Sequence, residues 1–224
     1  TDYIDLYQIH RPQSDIPIDE TLRALDDLVR DGKVRYIGTS TFAAWQVLES
    51  LWAAKELGLN RFVCEQPPYN IMDRRIEREL LPMARTYGIG TIPWSPIGGG
   101  LLSGSYTRDN QSPDGKRYSS DGLNAIQARR KNDDIWDVID GLSTMAADKG
   151  ITLAQLALAW VAAQPGVTSP IIGPRTMEHL EDNLGALDVT FTDEELATID
   201  ELVPPGRMVS PFYEADFGPH QFRW

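Results

Sequence analysis

The sequence is poor in cysteine and histidine. Cys64 is the single cysteine among 224 residues, so no disulfide bond can form within the chain, and a cytoplasmic, reducing location is expected. Cys64 lies in the apolar run FVCEQ, which favours a buried, unreactive thiol over a reactive one. The three histidines, at positions 10, 179 and 220, lack the spacing of metal ligands. We therefore expect no metal site.

Positive charge is scarce as well. Lysine and arginine together number 21 against 33 aspartates and glutamates, which gives a formal net charge of −12 at pH 7. A field of that sign repels nucleic acid and anionic membrane surfaces. Long hydrophobic runs are missing too, since none approaches the roughly 18 residues that a membrane-spanning helix needs. We therefore expect no nucleic acid and no membrane as partners, whereas a small anionic cofactor could bind through a local cluster of donors.

An initiator methionine is also missing, because residue 1 is Thr and a strand-like run follows within two positions. This start predicts a sequence that begins inside a domain. The composition, with 42% hydrophobic and 24% charged residues, is that of an ordinary globular protein. A chain of this length suits one domain or most of one.

Short β-rich runs alternate with amphipathic helical stretches along the chain. Strands are predicted at 3–9, 34–37, 62–65, 89–94 and 169–172. Helices are predicted at 19–30, 43–57, 74–87, 134–149, 153–164, 177–187 and 193–202. Thr152 and Thr192 are expected to cap two of these helices. The stretch 98–131 is rich in Gly, Ser, Asp and Arg and is predicted to form a loop.

Alternating strands and helices predict a parallel sheet with right-handed crossovers. Doubly wound sheets and (β/α)8 barrels both fit, but no GxGxxG follows a predicted strand, which disfavours a doubly wound dinucleotide-binding fold. The predicted fold class is therefore α/β, a (β/α)8 TIM barrel. Because such a barrel has eight strands, the chain is expected to supply about five βα units, extra helices and a C-terminal tail. About three βα units, roughly 100 residues, are expected before Thr1.

Polar or aromatic residues follow all five predicted strands. They are His10, then Ser40 and Thr41, then Gln66, then Trp94 and Ser95, and finally the segment from Gly173 to Thr176. The carboxyl ends of barrel strands build the active site in this architecture. These residues are therefore predicted to contribute to one site.

Three of these candidates also have a purely structural interpretation. His10 could hydrogen-bond a carbonyl oxygen, or serve only as a polar residue at a strand end. Trp94 could stack on a planar heterocycle while the glycines after it admit a pyrophosphate, or it could be a core residue before a flexible loop. Arg175, at a predicted helix start, could hold a phosphate or remain a solvated side chain.

Five segments together resemble the aldo-keto reductases. They are IDLYQIHRP, GKVRYIGTSTF, EQPPYN, IPWSPIGGGLLSG and PIIGPRTMEHLEDNL, which occur in the order and with the spacing of that family and span nearly the whole chain. The W-S-P at 94–96 is most similar to the bacterial branch that resembles the potassium-channel β subunits. The resemblance implies a (β/α)8 barrel in a single domain covering 1–224. It also implies hydride transfer from NADPH to an aldehyde or ketone, a small-molecule carbonyl substrate.

The resemblance also implies residue roles. His10 would help to bind and polarise the carbonyl group. Ser40 and Gln66 would bind the nicotinamide carboxamide, while Thr41 stands where asparagine is usual, and Trp94 would stack on the nicotinamide ring. The pyrophosphate segment would contain Ser95, Ile97, Gly98 and Gly100. The adenosine end would be held by Gly173 and Arg175 at the 2′-phosphate, and by His179, Asp182 and Asn183 near the adenine.

The family's proton donor, a tyrosine supported by a lysine and an aspartate, lies upstream of the histidine, yet only nine residues precede His10. Tyr3 and Tyr7 are not expected to replace it, because alternation along a strand places both on the face opposite His10. Either the sequence is part of a longer enzyme or the gene product is short. Three hypotheses follow: an NADPH-dependent carbonyl reductase, an NADPH-binding regulatory or channel β-subunit-like protein without turnover, and a truncated inactive barrel.

Substrate recognition is assigned to the loop at 98–131 and to the aromatic C-terminal tail, which contains Phe212, Tyr213, Phe217, Phe222 and Trp224. Aromatic walls would suit apolar or aryl carbonyl compounds, although these side chains could equally pack on the outside of the barrel. Three arginines of the loop could attract an anion or remain solvated: Arg117, Arg129 and Arg130. Oligomerisation is left open.

Overall fold

The computed structural model describes residues 1–111 and 133–209. These residues divide into two compact units. The first, which we call the sheet unit, comprises Thr1–Pro67 and Glu79–Ile92. The second, which we call the helical unit, comprises Pro68–Arg78 and the described part of Pro93–Tyr213.

A four-stranded parallel sheet organises the sheet unit. Its strands follow the order β1-β2-β3-β4 and cover Ile4–Ile9, Val34–Ser40, Phe62–Gln66 and Gly90–Thr91. The register aligns Ile9 with Thr39 and Ser40 with Gln66. The carboxyl ends of β1, β2 and β3 therefore meet at one edge of the sheet.

Three helices alternate with these strands, namely α1 (Ile18–Arg30), α2 (Ala44–Leu57) and α3 (Leu80–Tyr87). Their apolar stripes pack the core of the sheet unit, where Leu22, Val47 and Phe62 have no exposed surface. The α/β fold with a parallel sheet is thus confirmed.

The number of strands differs from the prediction. The run at 89–94 forms a ladder only at Gly90–Thr91, and the run at 169–172 forms no strand, so the described residues contain four strands rather than five. Proline is the physical reason. Ile171 donates one backbone hydrogen bond to the carbonyl of Pro93 (2.8 Å), but Pro93 and Pro170 carry no N–H group to extend a ladder.

The helix predicted at 74–87 is also interrupted. Arg75–Glu77 is a 3-10 turn, and α3 begins only at Leu80. Pro82 explains the break, because its ring would clash with the carbonyl of Arg78 in a continuous helix and is accommodated in a first turn.

Four helices form most of the helical unit: α4 (Asp133–Asp148), α5 (Leu153–Ala163), α6 (Met177–Leu184) and α7 (Asp193–Leu202). Thr152 caps α5 by accepting a hydrogen bond from the backbone N–H of Gln155, and Thr192 caps α7 in the same way through Glu195. The two predicted caps are therefore confirmed. The helix predicted at 177–187 ends as the 3-10 turn Gly185–Asp188.

Buried Arg74 ties the segment Pro68–Arg78 to the rest of the helical unit. Its guanidinium donates to the carboxylates of Glu77 (2.8 Å) and Asp200 (2.7 Å) and to the carbonyl of Val203 (2.6 Å). It also lies 4.9 Å from the ring centre of Trp160. This network fixes the segment that supports the glycine-rich turn described below.

Over residues 1–111 and 133–209, every helix is too short or too polar to cross a membrane.

Candidate functional site

Three of the predicted site residues lie together at the carboxyl edge of the sheet. His10 directly follows β1 and is exposed, Ser40 ends β2, and Gln66 ends β3. Arg11 connects the first two, because its guanidinium donates to the carbonyl of His10 (2.6 Å) and to Oγ of Ser40 (3.4 Å). The sheet register, which the sequence could not specify, brings these residues together.

A chain of side-chain amides orients Gln66. Nε2 of Gln66 donates to Oε1 of Gln8 (2.9 Å), and Nε2 of Gln8 donates to the carbonyl of Thr39 (3.1 Å). Because the nitrogen of Gln66 is engaged, its Oε1 is the atom that can receive a further donor. Sequence analysis missed Gln8, whose signal was a lone amide within the apolar run of β1.

Ser40 also presents an acceptor. Its hydroxyl donates to the carbonyl of Gln66 (2.9 Å), and its oxygen has longer contacts with the guanidinium of Arg11 (3.4 Å) and with the hydroxyl of Thr41 (3.3 Å). Oγ of Ser40 and Oε1 of Gln66 lie at the ends of neighbouring strands. A ligand group with two N–H bonds could donate to both atoms by replacing the long contact between Ser40 and Arg11. A primary carboxamide has such a group.

The residue after Ser40 has an unusual backbone. Thr41 has a φ of 61°, and its backbone N–H donates to the carbonyl of Gln66 (3.1 Å). The left-handed region is unfavourable for a β-branched residue. Among the described residues, Ser95 is the other non-glycine with a positive φ, at 56°. Both lie at positions that the sequence had assigned to the site, and strained residues of this kind concentrate at functional sites.

Glu65 lies beneath the strained turn and is completely buried. Its Oε1 accepts the backbone N–H of Phe42 (3.1 Å), and its Oε2 accepts the hydroxyl of Thr39. Burial raises the pKa of this carboxyl to about 7, although the hydrogen bonds and the charge of Arg11 oppose the rise. Sequence analysis missed Glu65 because the charge of a single strand residue does not reveal whether it is buried.

Cys64, next along β3, is buried. Burial raises the pKa of its thiol to about 12, and the nearby Glu65 adds to this rise. The prediction that this thiol is buried is confirmed, and the raised pKa disfavours the thiolate, which is the reactive form.

In the helical unit, Trp94, Ser95, Ile97, Gly98 and Gly100 lie in one tight turn. The carbonyl of Ser95 accepts two hydrogen bonds, from the backbone N–H of Gly98 (2.9 Å) and from Nδ2 of Asn70 (3.2 Å). The backbone N–H of Tyr69 donates to the carbonyl of Trp94 (3.3 Å). Asn70 is therefore a support of this turn that sequence analysis missed, although it belongs to the EQPPYN segment.

Two glycines of the turn have a positive φ, which favours glycine at both positions. The φ angle is 59° at Gly98 and 108° at Gly100. The N–H groups of both are used inside the turn, since they donate to the carbonyls of Ser95 and Ile97. The turn is thus held in shape by its own amides as well as by Asn70.

The remaining predicted residues lie around α6. Arg175 is exposed just before the helix, and Thr176 caps it by accepting the N–H of His179 (3.1 Å). Gly173 has room for a Cβ atom, so local packing does not require glycine there. Ile172, before it, packs with Ile97 against one apolar cluster.

Asp182 and Asn183 lie in the last turns of α6. Oδ2 of Asp182 accepts the hydroxyl of Thr152 (3.2 Å), and its carbonyl accepts Nε2 of Gln155 (2.9 Å). Asp182 is therefore anchored to the start of α5. The loop arginines and tail aromatics assigned to substrate recognition lie outside the described residues: Arg117, Arg129, Arg130, Phe212, Tyr213, Phe217, Phe222 and Trp224.

Comparisons with known proteins place this geometry in context. The sequence model described as the Aldo/keto reductase family matches residues 1–204. The chain is 37% identical over 205 residues to a probable voltage-gated potassium channel subunit beta of Oryza sativa subsp. japonica, covering 90% of this chain and 62% of that protein. It is 37% identical over 207 residues to the uncharacterized oxidoreductase YrpG of Bacillus subtilis, covering 92% and 60%.

A third relative is the versiconal hemiacetal acetate reductase of Aspergillus parasiticus, 34% identical over 204 residues that cover 91% of this chain and 58% of that protein. The chain spans about three fifths of the length of these curated relatives.

Proposed function

Because the chain belongs to the aldo/keto reductase family, we propose that the protein is an oxidoreductase that reduces an aldehyde or ketone with NADPH. Family membership carries the (β/α)8 barrel with it, in agreement with the predicted fold class and the parallel sheet. Relatives named as oxidoreductases and reductases support an oxidoreductase in general terms. The cofactor, the substrate class and the residue roles are our proposal.

The observation that best supports the proposal is the pair of acceptors at the sheet edge. Oε1 of Gln66 would accept from the ligand, and Oγ of Ser40 would accept beside it in place of its long contact with Arg11 (3.4 Å). The carboxamide of a nicotinamide has an amino group with two N–H bonds. These two residues would therefore hold the nicotinamide end of the cofactor.

Other residues would hold the rest of the cofactor. Trp94 would stack on the nicotinamide ring, and the turn containing Ser95 would face the pyrophosphate. Arg175 would bind the 2′-phosphate, because an exposed guanidinium at a helix start is suited to a doubly charged anion. When bound, NADPH supplies a hydride to the carbonyl carbon.

His10 would bind the substrate. Its imidazole is exposed at the same edge as Ser40 and Gln66, where it can donate a hydrogen bond to a carbonyl oxygen. The reduction also needs a proton on that oxygen, which the family takes from a tyrosine. Tyr3 does not suit this role because its ring lies under the guanidinium of Arg35, 3.9 Å from the ring centre.

A second function has specific support. Relatives in Oryza sativa and Arabidopsis thaliana are named as probable voltage-gated potassium channel subunits beta. A protein with the same cofactor site could bind NADPH and a partner without turnover. The two functions share cofactor binding and differ in carbonyl reduction.

The test uses the intact gene product in two steps. NADPH and NADH are titrated against the intrinsic tryptophan fluorescence, and loss of NADPH absorbance is then followed with aryl and aliphatic aldehydes. Binding with turnover supports the reductase, whereas binding without turnover supports the regulatory protein. If neither NADPH nor NADH binds, both the reductase function and the regulatory function are contradicted. A reducing cytosol suits either function, given the single buried cysteine.

A further inference from the structure

The turn between β2 and α2 carries a strained residue in a buried place. Thr41 has a φ of 61°, and only 2% of its surface is exposed. It is therefore surrounded by protein atoms and not by solvent. A β-branched residue is strained in this region and persists there only where its surroundings impose the conformation. The conformation of Thr41 is therefore imposed by the groups packed around it.

Two hydrogen bonds hold the turn, and in both the turn donates and β3 accepts. The backbone N–H of Thr41 donates to the carbonyl of Gln66, and the backbone N–H of Phe42 donates to Oε1 of Glu65, both at 3.1 Å. The first acceptor is backbone and independent of the side chain at that position. The second acceptor is the side chain of Glu65, which is fully buried. A fully buried glutamate is rare in proteins.

We propose that Glu65 is a positioning residue of the cofactor site, which acts by holding the turn Ser40–Phe42 so that Oγ of Ser40 is presented to the nicotinamide carboxamide. The inference rests on the proposed function, because it assigns Glu65 a role in the same site. Glu65 itself touches neither cofactor nor substrate. Its effect passes through the backbone of Thr41 and Phe42.

The ionised carboxylate holds the turn better than the neutral acid. An ionised Glu65 accepts from both Phe42 and the hydroxyl of Thr39. A protonated Glu65 must direct its proton to the Thr39 hydroxyl, which then turns to the carbonyl of Cys64, 3.4 Å away. The bond from Phe42 then ends on a neutral oxygen and is weaker.

The charged and titratable groups facing Glu65 are Arg11, which follows β1, and Cys64, its neighbour on β3. Arg11, after β1, lowers the pKa of Glu65 by its charge, whereas burial raises this pKa to about 7. The thiol of Cys64, with a pKa of about 12, stays neutral over the same range. Affinity for the cofactor should therefore fall as the pH drops from about 8 to about 6.

The experiment measures dissociation constants of NADH and NADPH between about pH 6 and 8 in the intact gene product and in Glu65→Gln. Glutamine keeps the size and one acceptor but does not titrate. We expect wild-type affinity for both cofactors to weaken several-fold toward pH 6, and the variant to bind up to about tenfold more weakly at pH 8 with no such pH dependence. NADH is included because it has no 2′-phosphate. The 2′-phosphate of NADPH changes its own protonation in this pH range and would add a second source of pH dependence.

Two further variants sharpen the result. Glu56→Gln removes an exposed carboxylate of α2 in the same unit and should leave the affinities and their pH dependence unchanged. Thr41→Gly combined with Glu65→Gln should regain part of the lost affinity, because glycine adopts a positive φ without strain. A merely structural role for Glu65 predicts no such recovery at the nicotinamide end.

The outcomes separate the two claims. If the wild-type protein binds neither cofactor, the proposed function fails and this inference fails with it. If it binds both but its NADH affinity does not change between about pH 6 and 8, only the inference about Glu65 is overturned. The wild-type pH profile gives this answer even if Glu65→Gln does not fold.

Discussion

The side-chain nitrogen of Gln66 donates a hydrogen bond to the side-chain oxygen of Gln8, 2.9 Å away. Gln8 in turn donates to the carbonyl of Thr39, so the two amides form a directed chain across three strands. In this chain the nitrogen of Gln66 is the donor to Gln8, and Oε1 of Gln66 is not used. This relationship supports the assignment of the sheet edge to a carboxamide.

Gln8→Leu removes the acceptor that fixes the Gln66 amide. We expect the affinities for NADPH and NADH to fall alike, by roughly threefold to tenfold, because both cofactors carry the same carboxamide and one hydrogen bond is worth about 1 kcal/mol. Fluorescence titration measures the effect. Tyr7→Phe, at an exposed neighbour in β1, is the control, and equal affinities in wild type and Gln8→Leu would contradict the role of Gln8.

Asn70→Asp replaces the nitrogen that donates to the carbonyl of Ser95 with an oxygen. The two oxygens repel each other at a buried site, so we expect the free energy of unfolding to fall by about 1–3 kcal/mol. Cofactor affinity should fall as well, because the turn at Trp94 and Ser95 loses its support. Urea denaturation and cofactor titration measure the two effects.

The control for Asn70 is Asn110→Asp, which makes the same chemical change at an exposed position. This variant should change neither quantity appreciably. A loss of stability in Asn70→Asp without any loss of affinity would limit Asn70 to a structural role.

Glu65 should also make the stability of the protein depend on pH. Its pKa is about 7 in the folded protein against 4.5 when exposed, so between these values the folded state binds a proton that the unfolded state has released. The free energy of unfolding should therefore fall as pH rises from about 4.5 to about 7, by about 3 kcal/mol from this group alone.

Urea denaturation at about pH 5 and pH 8 measures this dependence. The difference in stability between wild type and Glu65→Gln should shrink or reverse toward pH 8, because glutamine does not ionise. Stability curves that stay parallel across this range would show that Glu65 does not carry the elevated pKa.

Arg175→Ala tests the phosphate assignment. Removal of a charge-assisted hydrogen bond should weaken NADPH by about 1.5–3 kcal/mol and leave NADH almost unchanged, because NADH has no 2′-phosphate. Titration of both cofactors gives the ratio. The matched control is Arg85→Ala, an exposed arginine of α3, and an equal loss for both cofactors in Arg175→Ala would refute the assignment.

Much of the fold follows from local sequence signals. The stripe of apolar residues at helical spacing and the threonine caps predicted α5 and α7 closely, because both signals act within a few residues. Proline limited the prediction elsewhere. Pro82 delays α3, and Pro93 and Pro170 prevent the ladder expected at 169–172, since a missing N–H outweighs β propensity.

The sequence predicted which residues belong to the candidate site, but not the contacts that hold these residues in place. Residues after strands, such as Ser40 and Gln66, could be identified because parallel strands align their carboxyl ends. The left-handed backbone of Thr41 could not, because a β-branched residue disfavours it and only long-range contacts impose it. The orientation of the Gln66 amide likewise depends on Gln8, 58 positions away.

The measurement that tests the central claim most directly is transfer of a labelled hydride. The intact gene product is incubated with NADPH carrying deuterium at the transferable position and with an aryl aldehyde, and the alcohol is examined by mass spectrometry. We predict alcohol with one deuterium on the former carbonyl carbon. Alcohol formation without deuterium, or cofactor binding with no alcohol at all, would contradict the proposal that this protein is an NADPH-dependent carbonyl reductase.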